Sequence, residues 1–275
     1  MAKKGKSPKE KKAKKEKKEP YVPLRGVFGD ATDYHEYEMT ARDKLIGFVI
    51  GFAAAAVVET VFFNNIILLA LAGAFCGMKA IPMYQNYRKE KRLKELLIQF
   101  KDMLESLVAS YSAGRTTVDA FMDAQEDMQN IYGEKADIVK ELATISVGMQ
   151  QNFIIEDLLM DFARRSGLDD VYGFANVFEV CNRQGVNIKE IVADTRNIIN
   201  DKIEMESEIK TMIAGSKNEL NIMMVMPLIV AIASSGLGET AITNNTPLNV
   251  VMKVVILGVF FLAYKIGRKI TDIAL

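Results

Sequence analysis

Residues 45–63, LIGFVIGFAAAAVVETVFF, and residues 66–83, IILLALAGAFCGMKAIPM, stand on either side of Asn64-Asn65 and set the architecture. As one straight helix at 1.5 Å per residue, 45–83 would run about 58 Å, roughly twice the hydrocarbon thickness of a bilayer. The asparagines divide it into two pieces of about 27 Å, each able to span, so the pattern predicts a helical hairpin. A second pair of apolar runs, 220–237 and 248–266, flanks the polar, lysine-free loop 238–247. The expectation is an all-α polytopic membrane protein with four transmembrane helices in two hairpins, 45–83 and 220–266.

Charge gives these spans a direction. The 275 residues hold 35 Lys+Arg and 35 Asp+Glu, but ten Lys and only three Glu fall in the first nineteen, leaving the remainder acidic. Basic residues gather at 3–18, at Arg42 and Lys44, in Arg88-Lys-Glu-Lys-Arg92 and at 265–269, whereas Asn64-Asn65 and 238–247 have none. Cytoplasmic flanks keep the positive charge, which places both termini and the middle of the chain on the cytoplasmic side of a cell membrane. The chain then divides into a Lys-rich tail at 1–20, too polar to fold by itself, a juxtamembrane segment at 21–44, a cytoplasmic helical segment at 85–219 and a C-terminus at 267–275. A polar leader of about 44 residues before a run that spans fully argues against a signal peptide.

The segment 85–219 has helical periodicity and no strand pattern. Leu93, Leu96, Leu97, Phe100, Met103, Leu104, Leu107, Val108 and Tyr111 recur at three- and four-residue steps, an apolar stripe on a helix emerging from the second span. Further patterns cover about 117–131, 134–150, 153–166, 170–184 and 188–217, with breaks at Gly133, Asn152, Gly167 and Gly185. Six helices of this kind predict a bundle of ordinary domain size. Two turns share one design: Gly114, Thr116 and Asp119, then Gly185, Asn187 and Glu190. In each, glycine ends a helix, a polar residue caps the next and an acid three positions on closes a capping box. The helix-turn-helix unit repeats at an offset of 71 residues.

These residues carry a resemblance. Gln99-Phe-Lys-Asp-Met-Leu-Glu-Ser-Leu107 with Tyr111-Ser-Ala-Gly-Arg-Thr-Thr-Val-Asp-Ala120 resembles the first half of the type II secretion system F domain. Asp161-Phe-Ala-Arg-Arg-Ser166, Phe174-Ala-Asn-Val-Phe-Glu-Val-Cys-Asn-Arg-Gln-Gly-Val-Asn-Ile188, Asp201-Lys-Ile203 and Glu208-Ile-Lys-Thr-Met212 resemble TadB-type proteins of tight-adherence pilus systems. The similarity covers about 90–230, and Val186 stands where the family often has a second glycine. It implies a non-catalytic platform protein that couples a cytoplasmic hexameric ATPase to extraction of pilin subunits, beside a second platform protein and as a homo- or hetero-oligomer.

The chain lacks a Walker A loop or other phosphate cradle, so no cofactor is expected and nucleotide energy must come from a partner. One histidine, His35, and two cysteines, Cys76 and Cys181, exclude His-clustered zinc sites, Ser-His-Asp triads and a disulfide framework; no metal site is expected. The cysteines read as packing residues and His35 as a solvated juxtamembrane residue.

Apart from Lys265 at the cytoplasmic end of the last run, three charges lie within the spans. Lys79, near the cytoplasmic end, reads as snorkelling, whereas Glu59 and Lys253 sit at matching depth, roughly 6 to 8 Å from the outer surface. Either they pair across the two hairpins or each reaches outward separately. Gly47 and Gly51, with Ala55, make a small-residue face on the first span, and Gly73 with Gly77 another on the second; they serve packing within the hairpin or dimerisation. Pro227 should kink the third span. The Met-rich run 222–226 reads as adaptable packing. The Lys-rich tail fits anionic membrane lipid better than nucleic acid, since no folded basic patch accompanies it. A face at Glu204, Glu206 and Glu208 is either solvated helix or a motor-docking surface. The rival function, a small transporter or channel with a cytoplasmic regulatory bundle, would place charges near mid-membrane, and these lie toward the ends.

Overall fold

The computed structural model describes residues 24, 26–29, 31–62, 65–184 and 187–235, with isolated positions between 251 and 267. Among the described residues all regular structure is α-helical: α1 Ala41–Phe62, α2 Ile66–Ser112, α3 Thr117–Tyr132, α4 Asp137–Gln150, α5 Ile155–Ser166, α6 Asp169–Gln184 and α7 Ile188–Ser235. The described positions from 251 to 267 are helical too. Among the described residues one helix, α2, is long and apolar enough by length and composition to cross a membrane.

Local chemistry explains the helix ends. Asp43 in the first turn of α1 accepts the Thr40 backbone N–H at 3.3 Å, half of a capping box. Asn65 caps α2, its side chain accepting from Ile67 N at 3.1 Å, so one of the two asparagines that divide the apolar run also starts the next helix. Positive φ falls at Gly114, Gly133, Asn152 and Gly167, where the chain turns between α2 and α6. Asn152 is the one non-glycine among them, a residue whose short side chain tolerates the left-handed region.

One element exceeds its expected length. Helix α7 does not end near 217 but runs 48 residues through Pro227 to Ser235. Pro227 therefore sits inside a continuous helix, as does Pro82 in the 47-residue α2. The reason is the absence of a strong stop signal: residues 213–221 contain one glycine and no proline, and Ala214, Lys217, Glu219 and Leu220 are good helix formers.

One buried cluster draws on α2 through α7. Leu96, Phe100, Leu104 and Leu107 of α2 meet Phe121 and Ala124 of α3, Leu142 of α4, Phe162 of α5, Phe174 and Phe178 of α6, and Val192 and Ile199 of α7. Its spine is aromatic: Phe100 lies edge-on to Phe174 at 5.6 Å, Phe174 contacts Phe178 at 5.6 Å, and Phe178 meets Phe121 edge-on at 6.4 Å. These rings tie the α2–α3 hairpin to α6. The apolar segment has the opposite character, because Leu45, Val49, Ile50, Ile66, Ile67, Leu71 and Phe75 are exposed around the α1–α2 pair.

Candidate functional site

The strongest polar constellation begins with two charges on helix faces that periodicity turns inward. On α4, Glu141 shares the buried face of Ile138, Leu142 and Ile145; on α5, Arg165 shares that of Leu158, Leu159 and Phe162. Their side chains are 3% and 2% exposed, so each needs its partner. Arg165 Nη1 donates to Glu141 Oε1 at 2.7 Å and Nη2 to Oε2 at 2.6 Å, a two-pronged fit of guanidinium to carboxylate. Arg165 Nε donates to Asp161 Oδ2 at 2.8 Å, one helical turn earlier.

The segment before α1 completes the network. Arg165 Nη1 also donates to the Thr32 carbonyl at 3.0 Å, and the Arg165 carbonyl accepts Tyr34 N–H at 3.0 Å. Tyr34, 2% exposed, donates its hydroxyl to Glu141 Oε1 at 2.9 Å. The Arg92 guanidinium of α2 lies 4.7 Å from the Tyr34 ring centre and grips Asp137 of α4 at 2.6 and 2.7 Å. Gly26 is needed for the close approach: a Cβ there would meet Ala31 Cβ at 2.4 Å and Arg165 Nε at 3.2 Å. The segment just before α1 is thus strapped to α2, α4 and α5 by charge-assisted bonds. Burial, then the Glu141 and Asp137 charges, push the Tyr34 phenol far above its ordinary range. Burial pulls the Arg165 guanidinium down, but the Glu141 and Asp161 carboxylates more than offset it, and the net shift is upward.

His35 is also part of this strap. It is held by Asp33, with Nδ1 3.0 Å from Oδ1, and its ring fills the space beside Gly167, where a Cβ would lie 2.8 Å from Nε2. The expectation of a solvated histidine is corrected accordingly: at 35% side-chain exposure it is partly enclosed by the helical body.

The first hairpin turn, Gly114, Thr116 and Asp119, keeps its cap with one change. Thr116 Oγ1 accepts from Asp119 N at 3.2 Å as an N-cap should, but the Asp119 carboxylate accepts from the Thr116 hydroxyl at 2.7 Å instead of from the Thr116 backbone. In the second turn the Glu190 N–H bonds the Asn187 carbonyl at 3.2 Å; Gly185 and Val186 lie outside the described residues.

Within 45–83 and 220–266, the buried positions among the described residues are Gly47, Gly51, Glu59, Gly73, Gly77 and Lys253. The glycines face the opposite helix of their own hairpin. A Cβ on Gly51 would lie 2.7 Å from the Cys76 carbonyl oxygen and 3.0 Å from Gly77 Cα; on Gly73 and Gly77 it would strike the Phe52 and Phe48 rings at 2.5 and 2.6 Å. That close approach fills the small-residue faces within one chain. Glu59 is 4% and Lys253 5% exposed, and Glu59 Oε1 accepts Asn65 N–H at 2.8 Å, closing the hairpin turn. Lys79 is exposed, Cys181 is buried in the helical body and Cys76 is exposed on α2.

The acidic face at Glu204, Glu206 and Glu208 is corrected in part. Residues two apart on a helix point about 200° away from each other, so the three do not share a face. Glu206 turns to Lys94 of α2 at 3.0 Å and Lys210 at 3.6 Å, while Glu204 and Glu208 stay exposed.

Sequence reasoning passed over the Tyr34–Glu141–Arg165 network. The available signal was a carboxylate at an inward step of the α4 stripe and an arginine at an inward step of α5, each demanding a partner. Among the described residues no group of three or more His, Cys, Asp or Glu could hold a metal ion. Comparison with protein-family models, curated proteins and solved structures finds no match.

Proposed function

We propose that this chain is an integral membrane platform protein of a tight-adherence pilus or related secretion machine. Four helices, in hairpins 45–83 and 220–266, cross the cell membrane, and the acidic six-helix bundle 85–219 lies on the cytoplasmic side with both termini. There it takes the stroke of a hexameric ATPase and passes it to the membrane helices, which draw pilin subunits out of the bilayer beside a second platform protein.

The observation that carries this reading is the continuity of α2 and α7. Each runs without interruption from the buried cluster into an apolar segment whose side chains point outward, including Ile67, Leu71 and Phe75 on α2 and Met223, Val225, Met226 and Val230 on α7. Contiguous apolar surface of this extent is stable in lipid and a liability in water. A continuous helix passes displacement along its axis, so movement of the helical body is carried to the attached membrane segments, with Pro82 and Pro227 marking where a backbone hydrogen bond is missing. The strap at Tyr34 gives the body a third tie to the membrane, at the entrance of α1. The repeated hairpin unit and the family resemblance agree with a structural role without catalysis.

Copurification from solubilised membranes tests this function: the chain is expected to retain a hexameric secretion ATPase, and retention of none in repeated pull-downs would sink the platform reading. The buried pair of charges, Glu59 and Lys253, is what a transporter reading would invoke. Proteoliposomes separate the two, since a transporter conducts solute or ions without an ATPase and a platform does not.

A further inference from the structure

We propose that the cavity between the juxtamembrane segment and α2, lined by Tyr37, Arg88, Lys91, Arg92 and Glu95, binds the phosphate of an anionic phospholipid headgroup. Its volume of about 210 Å³ is below that of pockets for drug-sized ligands, roughly 300 to 1,000 Å³, and suits a compact charged group. The floor is preorganised. Gln85 Nε2 donates to the Tyr37 carbonyl at 2.9 Å, and the Tyr37 hydroxyl accepts from Arg88 Nε at 3.3 Å and Nη2 at 3.1 Å. A neutral hydroxyl thus aims the Arg88 guanidinium without cancelling its charge, and the planar fork matches phosphate oxygens.

The facing charges leave a net cationic site. Lys91 makes only a loose contact with Glu95 at 3.8 Å, both being more than half exposed. Arg92 is neutralised by Asp137 and serves as wall. Asp43 accepts from the Tyr37 hydroxyl at 3.3 Å, and its charge also acts on the Arg88 guanidinium. Among the lining residues Glu95 is the one carboxylate, against the three cations Arg88, Lys91 and Arg92.

Position selects a lipid as the source of phosphate, and this step rests on the membrane reading above. Arg88 is five residues past Met83, where the apolar run ends, or about 7 to 8 Å along the axis. The headgroup layer extends about 5 to 7 Å beyond the hydrocarbon, so the guanidinium lies at phosphate level. The Lys-rich tail at 3–18 would also attract anionic lipid, but as a diffuse charge rather than a site.

The full chain, first shown to resist carbonate extraction, would be purified in mild detergent and titrated with phosphatidylglycerol and with phosphatidylcholine under native mass spectrometry. A chain released by carbonate contradicts the membrane reading itself, a failure distinct from any result on lipid choice. We expect phosphatidylglycerol to bind about 10-fold tighter, and the double variant Arg88→Gln, Lys91→Gln to bring the two lipids within about threefold. A tail variant with Lys14, Lys15, Lys17 and Lys18 all changed to Gln should keep the preference. Tyr37→Phe retains both cations and should reduce the preference severalfold with an unchanged melting temperature; if the double variant does not fold, this one decides. Equal affinities in the wild type, a preference that survives both pocket variants, or one abolished by the tail variant would overturn the proposal. Displacement of the lipid by equimolar inorganic phosphate or glycerol phosphate would assign the site to a soluble phosphate and overturn the lipid assignment.

Discussion

Arg165 and Glu141 show how much a single buried charge depends on its neighbour. A paired, hydrogen-bonded ion pair is near neutral relative to a packed apolar pair, but removing one partner leaves an uncompensated charge at a cost of about 3 to 5 kcal/mol. Arg165→Met should therefore lower unfolding stability by that order in chemical denaturation, and protease should cut the strap around Tyr34 faster. Adding Glu141→Leu should recover much of the loss; a second change that deepens it would mean the charges act separately. Tyr132 makes a different prediction. Burial first, then the Asp102 carboxylate that accepts its hydroxyl, push its phenol up to about 12 from 10.0. A group whose folded value is raised loses its stabilising effect as pH climbs, so the contribution is intact below pH 10.0 and gone as pH passes about 12. Tyr132→Phe should flatten the alkaline part of the stability profile over that window.

At the scale of elements, contact between helices is set by what their backbones permit. A Cβ on Gly51 meets the Cys76 carbonyl at 2.7 Å, an atom fixed in α2, whereas on Gly47 its nearest neighbour is Tyr84 Cβ at 3.3 Å. Gly51→Ala should thus force α1 and α2 apart at about 1 to 3 kcal/mol, and Gly47→Ala should cost less. Thermal melting in detergent gives the order, and equal effects would mean the hairpin is looser than its geometry. Helices α2 and α7 meet outside the apolar region through Lys94 and Glu206. Hydrogen bonding from Lys94 holds the Glu206 carboxyl below its ordinary 4.5. Its contribution is present above pH 4.5 and lost as pH falls through the lower folded value. Hydrogen exchange along α7 near Glu206 should accelerate in that acid range, and Glu206→Gln should remove the dependence.

For the whole molecule, the decisive contrast is between a body that buries its aromatic spine and long helices that present apolar side chains outward. Protease added to intact cells should leave 85–219 uncut, while the same protease on inverted vesicles should cut it; cleavage in intact cells would reverse the orientation. Glu59 and Lys253 supply a test of whether α1 is tied to the helical residues around Lys253. Exchanging their charges in the double variant Glu59→Lys, Lys253→Glu should restore stability that each single change removes, if the two pair within the bilayer. A double variant no better than either single one would leave each charge with separate partners, as Glu59 already has in Asn65.

The order of amino acids by itself determined the all-helical character, the turns at Gly133, Asn152 and Gly167, and the glycine faces, because these follow from periodicity, from the few residues that tolerate positive φ and from the lack of a side chain. Such properties are local, and a window of one or two turns contains them. The length of α7 was not legible because the polar stretch 213–221, with Gly215, Ser216 and two asparagines, resembles a boundary in composition while its single glycine does not stop the helix. Only the tertiary structure decided that 31–40 is a strap, that His35 is enclosed beside Gly167 and that Glu206 turns from its acidic neighbours to Lys94. Glu141 lies 107 residues from Tyr34 and 24 from Arg165, and partners at such separations are chosen by how helices pack. The sequence could require that each buried charge have a partner, and packing alone could select which one.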